Sequence, residues 1–143
     1  MNSKEMSMFL AAKAVAKTSD YDGVHIGCVV CYGRNILSVA SNSKKTHTLQ
    51  MIYNKFKDFD TSIYQNKVHA EVHALSWLIG KEIDWSKVSV YIYREWKDGT
   101  PAISKPCPSC YHLMKDLGIK YVYYIDKFGV FTKRKVSDMI DEY

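Results

Sequence analysis

Blocks of regularly spaced apolar residues predict the secondary structure of this chain. Residues 3–18 have the apolar spacing of one helix face, and Asp20–Gly23 predicts a turn after them. Two β-rich runs follow, Val24–Tyr32 and Ile36–Ala40, and the short polar gap between them predicts a hairpin. The apolar positions of the first helix are Met6, Phe9, Leu10 and Ala14.

A long polar segment, residues 43–67, comes next and includes the pattern of one short helix near Leu49–Phe56. Loops of this length in compact domains are usually functional or mobile. The following block, Val68–Gly80, has helical spacing, and its final glycine predicts the helix end. Its expected apolar side consists of Val72, Leu75, Trp77, Leu78 and Ile79.

The last third of the chain alternates strand and helix patterns. A β-branched and aromatic strand at Val88–Tyr93 precedes a loop and a helix over Cys107–Leu117. The order is completed by two strands, Tyr121–Ile125 and Val130–Lys135, and a short helix over Ser137–Tyr143. Because helices alternate with strands, we predict one layered α/β domain of 143 residues. The tight turn between the last two strands predicts an antiparallel end to the sheet.

Composition limits the class of protein. Hydrophobic residues make up 47% of the chain and charged residues 24%, which is typical of a globular domain. No run approaches the ~20 apolar residues of a membrane span, and the first residues lack a signal-peptide pattern. We therefore expect a cytoplasmic protein with no membrane partner. The net charge of +5 mildly favours anionic partners, although a solvated surface is the more ordinary explanation.

The four cysteines form two Cys-x-x-Cys pairs with different expected geometry. Cys28 and Cys31 lie in an apolar run that predicts a buried strand, where residues three apart point to opposite faces. Cys107 and Cys110 lie at a predicted helix start, where residues three apart share a face. Only the second pair can readily chelate a metal, so we interpret the first pair as core residues.

A histidine lies at the start of another predicted helix. The sequence His69-Ala70-Glu71 begins that helix, and one strand separates it from Cys107 and Cys110. Parallel packing of the two helices on one sheet face would bring both starts to the same edge. One imidazole and two thiolates would then bind zinc and leave its fourth tetrahedral position open, as in catalytic sites.

Glu71 lies close to this cluster without being needed as a ligand. Zinc lowers the pKa of bound water to about 7, and a nearby carboxylate can accept the proton and pass it on. His73 is the best candidate for a fourth ligand of a structural site, and is otherwise an ordinary packed or surface histidine. A metalloprotease helix would need glutamate directly after the first histidine, where Ala70 stands.

The two motifs together resemble the zinc-dependent cytidine/deoxycytidylate deaminase superfamily, and the resemblance spans roughly Val24 to Asp126. It implies a three-layer α/β/α cytidine-deaminase-like domain with a five-stranded mixed sheet. It also implies that His69, Cys107 and Cys110 bind Zn2+ and that Glu71 shuttles protons. Hydroxide would attack C4 of a cytosine base, and ammonia would leave.

Four further residues are candidates for substrate binding. By resemblance, Asn42 would contact the sugar, and the backbone N–H of Ala70 would meet the base. As a plain turn asparagine, Asn42 would be unremarkable. Lys45 and His47 could bind a phosphate, or could belong to a solvated loop.

Several functions are compatible with these features. The first hypothesis is deamination of cytosine in a free pyrimidine nucleoside or nucleotide such as cytidine, deoxycytidine or dCMP. The alternative is a deaminase of cytosine or adenine in single-stranded DNA or RNA, favoured by the net charge, by Lys133-Arg134-Lys135 and by aromatic residues near the site. Those aromatic residues are Tyr64, Tyr93 and Trp96, whereas Trp77 and Tyr91 are expected to pack in the core.

The resemblance does not select one substrate branch. A histidine as first ligand is typical of the nucleotide and nucleic-acid branches, whereas an antiparallel sheet end is typical of free-nucleoside deaminases and some toxin deaminases. A riboflavin-pathway pyrimidine is a further candidate. A binding protein without catalysis is disfavoured by the intact Glu71. Small deaminases of this type commonly oligomerise, which implies a homo-oligomer here.

Overall fold

Five strands form one mixed sheet in the computed structural model, which describes residues 1–56 and 67–143. The strands are β1 (His25–Tyr32), β2 (Asn35–Ser41), β3 (Val88–Glu95), β4 (Tyr121–Ile125) and β5 (Phe131–Lys135). Their order across the sheet is β2-β1-β3-β4-β5. Strands β3 and β4 run parallel, and the other three neighbouring pairs are antiparallel. The predicted antiparallel end of the sheet is therefore confirmed.

Four α-helices accompany the sheet within the described ranges. They are α1 (Ser3–Ala16), α2 (Thr48–Tyr53), α3 (Ala70–Ser76) and α4 (Pro108–Leu117). Short 3-10 helices lie at Asn54–Phe56, Trp85–Lys87 and Val136–Glu142. No described helix is long and apolar enough to cross a membrane.

The two sheet faces are covered by different helices, which confirms the three-layer α/β/α arrangement. Alternate residues of β1 point to opposite layers. Cys28 packs in the cluster that contains the buried residues of α3 and α4, whereas Cys31 packs in the cluster beneath α1. Both cysteines are buried and free, as predicted for core residues.

The third helix is shorter than predicted. The pattern over Val68–Gly80 predicts a longer helix, but α3 ends at Ser76, whose hydroxyl donates a hydrogen bond to the His73 carbonyl at 2.7 Å. Such local side-chain bonds compete with helical ones. The chain then turns, so Trp77 is 62% exposed and Ile79 is exposed as well. The prediction that Trp77 packs in the core is wrong, whereas Tyr91 is buried as predicted.

The buried face of α1 also differs from the prediction. Phe9 is buried as expected, but Leu10 is 60% exposed, and the other buried residues are Ala12 and Ala16. Small residues are needed there because α1 lies very close to β1. A Cβ atom at Gly27 would stand 2.0 Å from the carbonyl oxygen of Ala12.

Candidate active site

The predicted metal ligands meet where α3 and α4 begin. His69 is the N-cap of α3, and Cys107 is the N-cap of α4. Pro108 lies in the first turn of α4, where its missing N–H costs no helical hydrogen bond. The two helix starts come to the same edge of the sheet, as the expected parallel packing requires.

The distances between the three ligand atoms fit a single zinc ion. His69 Nδ1 lies 3.4 Å from Cys107 Sγ and 3.4 Å from Cys110 Sγ. Zinc bonds of about 2.3 Å to sulfur and about 2.0–2.1 Å to nitrogen, at a tetrahedral angle, place these atoms about 3.5 Å apart. Among the described residues, this is the one group of three or more His, Cys, Asp or Glu side chains with ligand atoms this close.

The two thiols of the cluster have opposite electrostatic settings. Hydrogen bonding from Cys110, and then from His69, holds the pKa of Cys107 well below its usual value. Burial, and then its bond with Cys107, raises the pKa of Cys110 well above the usual value. A thiol that binds a metal is deprotonated by the cation's charge. A bound cation would therefore favour the thiolate form of both residues.

Glu71 lies in the first turn of α3 with its side chain buried. The residue is 4% exposed, and its Oε1 atom has no hydrogen-bond partner among the described residues. Burial raises the pKa of this carboxyl above that of an exposed glutamate. A buried polar atom without a partner is costly and uncommon in native proteins. Its position beside the ligand cluster suits a group that exchanges protons with a bound molecule.

His73 lies outside the ligand cluster. Its Nδ1 atom is 3.0 Å from the carbonyl oxygen of Ser41, and its ring centroid is 5.8 Å from that of Trp77. The side chain thus links α3 to the end of β2. This is the packing role expected for an ordinary histidine.

A buried polar network that sequence reasoning missed supports both helix starts. Gln50 Oε1 accepts a hydrogen bond from the His69 backbone N–H at 3.1 Å, and Gln50 Nε2 donates to Asn54 Oδ1 at 2.9 Å. Ser109 Oγ donates to the same Asn54 oxygen at 3.0 Å. The chain after α2 is thereby tied to the starts of α3 and α4. The sequence signal that could have indicated this network is the spacing of Gln50 and Asn54, two amide side chains four residues apart.

The C-terminal segment also supports the cysteine loop. The Tyr143 hydroxyl donates a hydrogen bond to the Pro106 carbonyl, and its ring stacks on Tyr111 with centroids 4.1 Å apart. Glu142 forms ion pairs with Lys105 and Arg134. These contacts hold the residues just before Cys107 from outside the sheet.

The candidate sugar ligand, Asn42, lines a cavity of about 190 Å³ together with His69. Its Oδ1 atom accepts hydrogen bonds from the Ile26 N–H at 2.9 Å and from Ser19 Oγ at 2.7 Å. Its Nδ2 atom donates to the Val24 carbonyl at 2.9 Å. The amide therefore joins the end of β2 to the start of β1, and its contact with substrate stays a prediction.

The other three candidate binding residues lie at different places. Ala70 is the first residue of α3, so its backbone N–H has no acceptor within the helix. Lys45 is exposed, and its carbonyl accepts from the Val68 N–H. His47 caps α2 by accepting from the Leu49 N–H at 3.0 Å, and it lines a different cavity.

The features that favoured nucleic acid are mostly engaged elsewhere. Tyr93 is buried beneath α1, on the sheet face opposite α3 and α4, so the expectation that it lies near the site is wrong. Tyr64 lies outside the described residues, whereas Trp96 is exposed. Lys133 pairs with Glu5, and Arg134 is paired as above.

Solved structures show the class of fold to which these elements and this site belong. A cytidine deaminase from Burkholderia pseudomallei has a TM-score of 0.65 and 16% identity over 97% of this chain and 96% of that chain. A dCMP deaminase from the cyanophage S-TIM5 has a TM-score of 0.61 and 21% identity over 91% and 90%. A mutant cytidine deaminase from Mycobacterium tuberculosis has a TM-score of 0.56 and 13% identity over 94% and 93%. Curated protein sequences give no match.

The family follows from the sequence itself. Residues 1–126 match the model of the cytidine and deoxycytidylate deaminase zinc-binding region. The chain therefore belongs to the cytidine and deoxycytidylate deaminase family. The His69, Cys107 and Cys110 cluster is compatible with the zinc that the family name specifies.

Proposed function

We propose that this protein catalyses the hydrolytic deamination of a cytosine base in a free nucleoside or nucleotide. The observation that carries the proposal is the buried Glu71 carboxylate, unpaired at Oε1 among the described residues and two residues from the ligand His69. Membership of the deaminase family supports the reaction. The structural neighbours, a cytidine deaminase and a dCMP deaminase, support the substrate class.

The residues of the cluster have separate roles in this proposal. His69, Cys107 and Cys110 would hold Zn2+, which when bound supplies a water nucleophile of lowered pKa. Glu71 accepts one proton from the nucleophile and delivers it to the ring nitrogen N3; it then takes the second proton from the new C4 hydroxyl and delivers that proton to the departing amine. A C4–O bond forms and the C4–N bond breaks, so the products are a uracil base and ammonia.

One backbone group and one side chain would orient the substrate. The Ala70 N–H, which lacks a helical acceptor, would bind the base, and the Asn42 amide would bind the sugar at the cavity wall. Because both lone pairs of the Asn42 oxygen are engaged, its second N–H is the group left to donate. The phosphate contacts of Lys45 and His47 stay predictions, and His47 lines a different cavity from the one that Asn42 and His69 share.

We also propose that the protein is a homo-oligomer of the cytoplasm. The side chains of Ile52, Trp77 and Ile79 are exposed and line one groove between α2 and α3. Large contiguous apolar patches on a protein surface often mark contact sites, and these three side chains lie together in one groove. A second copy of the chain is the occupant that we propose.

Replacement of Glu71 tests the reaction. We expect the purified protein to release ammonia from cytidine, deoxycytidine or one of their monophosphates. In Glu71→Gln, kcat should fall by about 10²–10⁴-fold because the proton carrier is lost. Zinc content should remain at the wild-type level, because Glu71 is not a ligand.

Two controls make this test decisive. His73→Gln is a matched change on the same helix, outside the ligand cluster, and should retain most of the activity. Wild-type protein with full zinc that is inert toward all four compounds would contradict the proposed function.

A further inference from the structure

Two cationic residues line the cavity that Asn42 and His69 share. Lys67 comes from the chain just before α3, and Arg94 comes from the end of β3. The other polar residues of the lining are Tyr21, Asn42, Ser43 and His69, and no carboxylate belongs to the described lining. The wall therefore carries positive charge next to a candidate metal ligand.

Arg94 reaches this cavity because of strand alternation. Val90 and Ile92 point from β3 into the core beneath α3 and α4. Arg94 is two residues further along the same strand and so emerges on the same face, where the core ends and the ligand cluster begins. The residue that ends this row of apolar side chains is thus a cation that lines the cavity with His69, and it also lines a second cavity with Trp96, Ile103 and Asp126.

The guanidinium of Arg94 is only partly engaged. Its Nη1 atom is 3.5 Å from the Ile103 carbonyl, and its Cζ atom is 5.3 Å from the ring centroid of Trp96. Its Nε atom is buried and has no hydrogen-bond partner among the described residues. Within residues 1–56 and 67–143, no carboxylate forms an ion pair with Arg94 or Lys67. Arg134 and Lys133, by contrast, both have acidic partners.

We propose that Arg94 and Lys67 bind the 5′-phosphate of the substrate, so that the enzyme prefers a cytosine nucleoside monophosphate to the free nucleoside. This inference rests on the proposed function. A phosphate monoester carries about −1.5 to −2 charges near neutral pH. Arginine presents a planar fork of donors that matches phosphate oxygens, and lysine adds a point charge.

The same contacts set the size of the expected effect. Hydrogen bonds to charged groups contribute about 1.5–3 kcal/mol, which corresponds to roughly ten- to hundred-fold in affinity. The nucleoside lacks the phosphate and gains nothing from either cation. We therefore expect discrimination of this order between CMP and cytidine, and between dCMP and deoxycytidine.

The first measurement is kcat/KM for ammonia release from these four compounds. Wild type should favour the monophosphates by roughly ten- to hundred-fold. Arg94→Gln should remove most of this preference for monophosphates, and Lys67→Gln should remove a smaller part. Arg94→Lys, which keeps the positive charge, should retain more of the preference than Arg94→Gln. Lys97→Gln, an exposed cation outside the cavity, is the matched control and should leave the preference unchanged.

The second measurement separates failure of this inference from failure of the proposed function. Calorimetric binding of CMP and cytidine to Glu71→Gln needs no turnover, so it tests the phosphate contact even if no ammonia is released. We expect CMP to bind more tightly, and the double variant Glu71→Gln/Arg94→Gln to lose the difference. Equal binding of the two compounds would overturn the phosphate site.

A single-stranded oligonucleotide tests whether the two cations bind the backbone phosphate of a nucleic acid instead of the 5′-phosphate of a free nucleotide. We expect an oligonucleotide with one cytosine to be a poorer substrate than dCMP. An oligonucleotide that is preferred to dCMP, or a preference for monophosphates that survives in Arg94→Gln and Lys67→Gln alike, would refute the inference.

Discussion

Identical thiols in this chain have different surroundings, and the surroundings decide their chemistry. Cys31 points into an apolar layer, and burial raises its pKa to about 11. Cys107 precedes a helix, half-buried, with Cys110 and His69 beside it. A neutral, buried thiol is inert, whereas a thiolate next to other ligands binds metal. We therefore expect the same substitution to change the bound zinc at one Cys-x-x-Cys pair and not at the other.

Serine in place of each cysteine tests this difference. Cys107→Ser should remove most of the bound zinc. Loss of a residue that only hydrogen-bonds to a metal ligand typically lowers metal affinity by ~10–100-fold, and loss of a ligand itself should lower it further. Cys31→Ser should retain one zinc per chain, because Cys31 is on the opposite face of the sheet. Metal analysis after dialysis measures both. Full zinc in Cys107→Ser would remove this residue from the ligand set.

At the scale of elements, the approach of α1 to the sheet depends on a single glycine. Gly27 lies in β1, and a Cβ atom there would stand 2.0 Å from the Ala12 carbonyl oxygen and 2.5 Å from the Ala16 backbone nitrogen. Backbone atoms cannot move aside as the end of a flexible side chain can. The helix must therefore shift outward if residue 27 acquires a side chain.

We expect Gly27→Ala to lower the free energy of unfolding by about 3 kcal/mol, the upper end of the usual cost of overpacking. Gly23→Ala is the matched control, because its nearest neighbour is the Tyr21 ring at 3.4 Å. The control should change stability by less than about 1 kcal/mol. Urea unfolding at a fixed zinc concentration gives both values. Equal midpoints for the two variants would show that α1 does not depend on this close approach.

The starts of α3 and α4 show how elements combine into a site. Neither helix has a side-chain cap of its own at His69 or Cys107. Gln50 and Asn54 bind both starts from outside instead, over sequence separations of 19 and 55 residues. The ligand geometry is thus a property of three elements together.

At the scale of the whole molecule, the groove between α2 and α3 exposes apolar side chains, among them Trp77. Burial of apolar area yields about 25 cal/mol per Å², so a second copy that covers the groove would gain from Trp77 above all. The aromatic residues of an interface are often its energetic centre. The expected oligomer therefore depends on a residue that local periodicity placed in the core.

We expect Trp77→Ser to shift the protein from oligomer toward monomer in size-exclusion chromatography with light scattering. Leu10→Ser is the control, because Leu10 is similarly exposed but lies on α1, across the sheet. Its elution should match that of wild type. A wild-type protein that is monomeric at micromolar concentration would contradict the proposed assembly.

Patterns along the sequence predicted the elements closely, since helical and strand periodicity are local properties. Strand β4 matches its predicted bounds, and Cys28 and Cys31 face opposite layers as strand alternation requires. The pattern predicts too long a third helix, and the other errors concern side-chain placement. Apolar or aromatic character alone misplaces Leu10, Trp77 and Tyr93, because exposure and location depend on which helix lies over which face.

Local sequence patterns predict the order of strands and helices, the resemblance to the deaminase family, and the candidate residues His69, Glu71, Cys107 and Cys110, because each motif lies within one turn of one helix. That His69 Nδ1 faces both sulfurs follows only from the packing of α3 against α4. The packing also brings Gln50 to the His69 backbone and Arg94 and Lys67 to one cavity. These contacts join residues far apart in the chain, and no local spacing encodes which distant side chains become neighbours.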